Sequence, residues 1–131
     1  MIKAVKGLAI GLPLAMMTLV LTSGTASAAR GDCASGYFCA WAGDAWAGLP
    51  TARWPRGTND ASWYDNGLHD NAESVYNHSP SYQDPRVPDN VVLFLDVNYG
   101  RADLCVLPGE YYDGGMDDND YDSHRWVSDC A

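Results

Sequence analysis

The sequence predicts an all-β domain, a sandwich built from two similar halves. Three observations carry this. After residue 30 no window keeps a helical period. Short runs rich in Val, Tyr, Trp and Phe dominate instead, such as "GYFCAW", "SVYN", "VVLFLDV" and "ADLCVL", broken by Gly, Pro, Asn and Asp at sandwich-like intervals. And one pattern, about 50 residues long, occurs twice.

The first 28 residues stand apart from that domain. Lys3 and Lys6 precede the apolar run "LAIGLPLAMMTLVL", and a small-residue exit ends in Ala26, Ser27 and Ala28. This is the layout of a secretory signal peptide. As a membrane span the run is short, and Pro13 interrupts it. Cleavage after Ala28 or Ala29 leaves a single domain at 29–131, and the protein is expected outside the cell. Eight basic residues less Lys3 and Lys6 leave six, all Arg, against 17 acidic ones, a mature net charge of −11. A chain so acidic does not seek nucleic acid or anionic lipid. It is expected to meet a protein or a cation, as a monomer and away from membranes once the signal is removed.

The first half runs from about 33 to 77 and the second from about 91 to 131. "HSPSYQDPRVPDN" at 78–90 is the Pro-rich connector between them. Near its start each half spaces two aromatics alike: Trp41 to Trp46 in "WAGDAWAG", Phe94 to Tyr99 in "FLDVNYGR". A strand entering a tight turn can fold the first aromatic back over that turn, and a Gly permits the positive φ at the reversal. Each half closes on similar text, "HDNAESVYN" at 69–77 and "DNDYDSHRW" at 118–126. Four Cys in an exported chain point to disulfides rather than metal thiolates. Of three possible pairings we favour Cys33–Cys39 with Cys105–Cys130, each closing a loop within one half.

These residues resemble a βγ-crystallin domain, a sandwich of two Greek-key motifs. "VVLFLDVNYGRADLCVLPGEY" is similar to that family's strand-turn-strand opening, and the two acidic closings are similar to its calcium motif: Asn/Asp, Asn/Asp, any, any, Ser/Thr, Ser. Together with the front "CASGYFC" and the tail "SHRWVSDC", the chain more narrowly resembles peptidase inhibitor family 36. The resemblance covers about 33–131. It implies a secreted inhibitor of extracellular metalloproteinases, with no catalysis of its own. Arg101 stands near a position where the family often has Gly, so that turn is expected to differ from the first.

The implied cofactor is calcium, a hard cation that takes six to eight oxygen ligands. Candidate ligands are Asp70, Asn71, Glu73 and Ser74 in the first half, with Asp118, Asn119, Asp120, Asp122 and Ser123 in the second. Two registers remain open. Matching by "SHRW" sets Asp118 to Ser123 against His69 to Ser74, which puts His69 at position one and an acid at position five. Shifting by one restores Ser at position five and loses position six. An EF-hand template also matches Asp118, Asp120, Asp122 and Asp129, but Ser123 replaces its Gly and no helices flank it. His69, His78 and His124 lack zinc spacing and are not expected to form a site. No hydrolase motif occurs.

An inhibitor must present a stiff segment that a protease cleft accepts but cannot process. The resemblance points to the second-half Cys strand, with Cys105 and Val106 as contact residues; the competing reading buries both in a core strand. An apolar Val106 suits the cleft preference of thermolysin-like proteinases. A rival segment is "LPTARWPRGTND", with exposed-looking Trp54 and Arg56, residue types enriched at binding hot spots. The alternative function is a calcium-stabilised structural or toxin-like βγ-crystallin module that inhibits nothing. An unrecognised enzyme is a third.

Overall fold

A computed structural model describes residues 30–43, 46, 48–113 and 120–131. The signal segment at 1–28, Asp118 and Asn119 lie outside the described residues.

Seven strands follow in order: β1 (Tyr37–Trp41), β2 (Ala52–Pro55), β3 (Ser74–Asn77), β4 (Asn90–Asp96), β5 (Gly100–Val106), β6 (Tyr111–Asp113) and β7 (Ser123–Val127). They form two antiparallel sheets, one ordered β2-β1-β3-β6, the other β5-β4-β7. The first half supplies β1, β2 and β3 to one sheet, and the second supplies β4, β5 and β7 to the other. Each half then lends a segment across. β6 leaves the second half to pair with β3, and Asp60 of the first half bridges His124 of β7. This exchange makes two Greek keys into one domain.

The registers make the duplication explicit. Phe38 pairs with Trp54 where Val91 pairs with Val106, and Trp41 pairs with Ser74 where Phe94 pairs with Ser123. Period-two alternation then sorts the side chains. Phe38 and Ala40 of β1 point to the main core with Trp54, Trp63, Leu68, Val75, Val91, Leu93, Val106 and Trp126. Cys39 and Trp41 point to the other face, where Cys33, Tyr37, Trp46 and Tyr76 cover them. That is why "YFCAW" reads as a continuous apolar run: both its faces are buried. Pro55 ends β2, an edge strand, where its missing N–H costs no ladder bond. Both expected disulfides are present, Cys33–Cys39 and Cys105–Cys130.

Candidate functional site

The aromatic corners are built alike. The Ser74 hydroxyl donates to the Gly43 carbonyl at 2.9 Å and accepts from the Trp46 N–H at 3.3 Å. The Ser123 hydroxyl donates to the Asp96 carbonyl at 2.6 Å and accepts from the Tyr99 N–H at 3.2 Å. Trp46 and Tyr99 both have positive φ, 52° and 61°. Two residues further on, so do Gly48 and Arg101, 75° and 50°. The expected difference at Arg101 is therefore a correction: it adopts the left-handed conformation that Gly48 adopts in the first half. Its guanidinium also grips the Asp96 carboxylate through two bonds, 2.6 and 2.7 Å, and holds that carboxyl below its usual range. A charge-assisted pair of this geometry helps the strained residue keep its place.

Because Ser74 and Ser123 do the same work, the halves align by "SHRW". The N–H groups of Glu73 and Asp122 confirm the alignment, donating to the Trp41 and Phe94 carbonyls at 2.9 and 3.0 Å. Of the two open registers, this one puts Ser at the sixth position and an acid at the fifth. Both serine hydroxyls are committed to the bends. Asp70, Asn71 and Asp120 are exposed, while Asp122 is buried.

The cross-half cluster includes a residue set aside from the sequence. His69 lies with Nδ1 2.6 Å from Asp122 Oδ1 and Nε2 3.2 Å from Asp70 Oδ2. Its pKa is raised, first by the hydrogen bond to Asp122, against a desolvation penalty, and further by the charges of Asp122 and Asp70. The expectation that no His takes part in a site is thereby corrected. Donor atoms of His69, Asp70 and Asp122 lie within 4.8 Å of one another, a group that could hold a metal ion. One imidazole and two carboxylates suit a borderline transition ion better than calcium, which wants an all-oxygen shell. The signal was the His at a position where the motif wants an acid.

The two candidate contact segments occupy equivalent places. Trp54 is buried, stacked between Phe38 and Trp63 at centroid distances of 5.6 and 5.4 Å. Its indole N–H donates to Asp60 at 3.2 Å. The expected exposure of Trp54 is therefore corrected, because strand alternation turns it inward. Arg56 is exposed, with its guanidinium 4.2 Å over the Tyr82 ring. For Val106, the counterpart of Trp54, the contact reading gives way to the core-strand one: at 0 % exposure it belongs to the core. Cys105 is half-buried on β5, the free edge of its sheet, and is stapled to Cys130 near the C-terminus.

The architecture is that of a known fold. A βγ-crystallin from Ciona intestinalis is similar at a TM-score of 0.52 and 16 % identity, covering 70 % of this chain and 99 % of that one. A structure described under the evolution of the eye-lens βγ-crystallin domain fold is similar at 0.51 and 14 %, covering 70 % and 85 %. These likenesses concern the fold alone. No curated protein matches the chain. The model of peptidase inhibitor family I36 matches residues 26–102, more than half of the chain. The chain belongs to peptidase inhibitor family I36. Its family is one of inhibitors rather than enzymes, and the disulfide-braced sandwich supports the same function. The match ends three residues before Cys105. Among the described residues no helix is long and apolar enough to cross a membrane.

Proposed function

We propose that the chain is a secreted inhibitor of extracellular metalloproteinases, and that it presents the disulfide-braced end of β5 to the protease cleft. Family I36 membership is the observation that carries this reading. Three features support the segment. Strand β5 is a free edge whose outward residues Arg101, Ala102 and Asp103 are exposed, and protease clefts take extended chains. Cys105–Cys130 ties its end to the C-terminus. Hydrogen bonds close the turn that follows it, and such pre-ordering reduces the ordering cost of about 0.5 to 1.5 kcal/mol per immobilised side chain. An interface of about 800 Å² per partner is within reach of so small a domain.

The test is titration of the purified protein against a panel of secreted metallo- and serine proteinases, with thermolysin among them. Inhibition is expected to be strongest in the metalloproteinase group. A panel untouched at micromolar inhibitor ends the reading.

A divalent cation at His69, Asp70 and Asp122 is a second, compatible reading, which the proximity of the three donors favours. We propose that zinc or a similar ion displaces the His69 proton there. The calcium expectation rests on Asp70, Asn71, Glu73 and Ser74 in the first half and on Asp118, Asn119, Asp120, Asp122 and Ser123 in the second.

A further inference from the structure

Resting on the inhibitor reading above, we propose that Leu107 is the residue that fills the primary pocket of the proteinase, and that the buried Asn77 positions it and withholds the Val106–Leu107 peptide from hydrolysis. Alternation sends Val106 into the core and the next side chain out: Leu107 is 44 % exposed at the turn where the chain leaves β5 for β6. The apolar preference that made Val106 attractive is met by its neighbour.

The turn that carries Leu107 is closed tightly. Pro108 and Gly109 occupy its two central positions, and Gly109 has φ +81°, the pattern of a type II turn. The Glu110 N–H donates to the Leu107 carbonyl at 3.0 Å, and the Leu107 N–H donates to Glu110 Oε2 at 2.9 Å. Two residues upstream, Cys105 is disulfide-bonded.

Asn77 lies behind this turn, fully buried. Its side-chain amide donates to the Val106 carbonyl at 2.9 Å and to the Asp89 carbonyl at 2.8 Å. Its own N–H donates to the Glu110 carbonyl at 3.0 Å, and its carbonyl accepts from the Gly109 N–H at 2.7 Å. Its side-chain oxygen accepts from the Ser79 N–H at 3.0 Å. One residue thus holds the chain on both sides of Leu107, and every polar atom it has is used. A metalloproteinase that seats Leu107 in an apolar pocket would attack the peptide carbonyl just before it, adding water to leave a Val106 carboxylate and a Leu107 amine. That carbonyl is turned inward onto Asn77. Were it cut, Asn77 would still bind residues on each side of the break, so the ends could not separate.

The test uses the whole chain, with thermolysin as probe. Leu107→Ala is expected to raise the inhibition constant about 30-fold, the about 2 kcal/mol of a hot-spot truncation. Leu107→Asp is expected to raise it further. Tyr64→Asp is the surface control, since Tyr64 is 56 % exposed and lies outside both candidate contact segments, and it is expected to leave the constant unchanged. Asn77→Ala, assayed well below its melting temperature, is expected to turn the inhibitor into a substrate, with mass spectrometry finding a cut between Val106 and Leu107. Should Asn77→Ala not fold, the Leu107 variants still decide. A wild-type protein that inhibits thermolysin, with Leu107→Asp within twofold of it, overturns this inference and leaves the inhibitor reading standing. Cleavage of Asn77→Ala elsewhere overturns the positioning role. A wild-type protein that inhibits nothing in the panel ends both.

Discussion

Lowering the pH from 7 to 5 is expected to cost the folded protein stability through His124. Its ring is fully buried among Phe38, Trp54 and Trp63, at centroid distances of 5.2, 4.4 and 5.8 Å. Nδ1 accepts the Trp63 indole N–H at 3.1 Å, which leaves Nε2 as the protonated nitrogen, donating to the Thr58 carbonyl at 2.9 Å. Burial lowers its pKa from 6.5 to about 4, only partly offset by Thr58 and Asp60. The unfolded chain therefore takes up a proton that the folded one refuses. Stability is complete above pH 6.5 and falls as the pH drops toward 4, by about 3 kcal/mol over the window and about 2 kcal/mol by pH 5. Other titrating groups act in different pH ranges. The raised pKa of His69 makes its contribution complete below pH 6.5 and lost at higher pH. Asp84 and Asp96, both lowered by hydrogen bonds from arginines, lose theirs only below the ordinary 3.8. The assay is urea unfolding at half-unit steps from pH 7.5 to 4.5, with chelator present, for wild type and His124→Gln. Wild type should show the slope and the variant should lose it. NMR titration of the His124 ring gives the same answer directly. A ring that becomes charged near pH 6.5, or parallel slopes for the two proteins, refutes the reasoning.

Ser74→Ala and Ser123→Ala should each cost about 1 kcal/mol, and by similar amounts, because each removes the hydroxyl that bridges one bend; unequal costs by urea titration would count against equivalence of the corners. Removing Cys105–Cys130, which spans 25 residues, should cost about 3.5 kcal/mol, against about 2 kcal/mol for Cys33–Cys39, which spans 6. Double Cys→Ala variants, melted side by side, test that order. Zinc at 100 times its dissociation constant should stabilise the protein by about 2.7 kcal/mol, and His69→Ala should abolish the gain. Melting curves that coincide with and without zinc reject the cation reading at that cluster.

Much of the fold was legible because duplication writes each constraint twice. Trp41 to Trp46 and Phe94 to Tyr99 share a spacing because each hairpin bend needs an aromatic on either side of the same serine bridge. The disulfides were legible because each closes within one half. The strand exchange was not, since nothing in "YYD" distinguishes a strand paired with its own half from one paired with the other. Burial of Trp54 was missed, and that of Val106 left open, for a related reason. Residue type marks both as candidates for contact, but their inward direction follows from register with Phe38 and Val91, a tertiary fact. Arg101 shows the opposite limit: a backbone conformation usually given to Gly is held by an ion pair that depends on where Asp96 lies. His69 was passed over because its partner, Asp122, is distant in sequence.

The two contact segments read from the sequence turn out to be one structural position, met twice. In each half a buried apolar residue at the end of the second strand or one before it, Val106 or Trp54, leads into a tight turn with a Gly at positive φ, Gly109 at 81° or Gly57 at 84°, through which the chain crosses to the other sheet. The N–H of Thr58 closes onto Pro55 as that of Glu110 closes onto Leu107. What differs is the side chain offered outward. The first crossing shows Arg56, held against Tyr82, and the second shows Leu107, beside the Cys105–Cys130 staple. A duplicated scaffold thus carries two stiff turns of opposite chemistry, one cationic and one apolar. A cleft that selects apolar residues can distinguish them by that chemistry alone, since fold and rigidity are common to both.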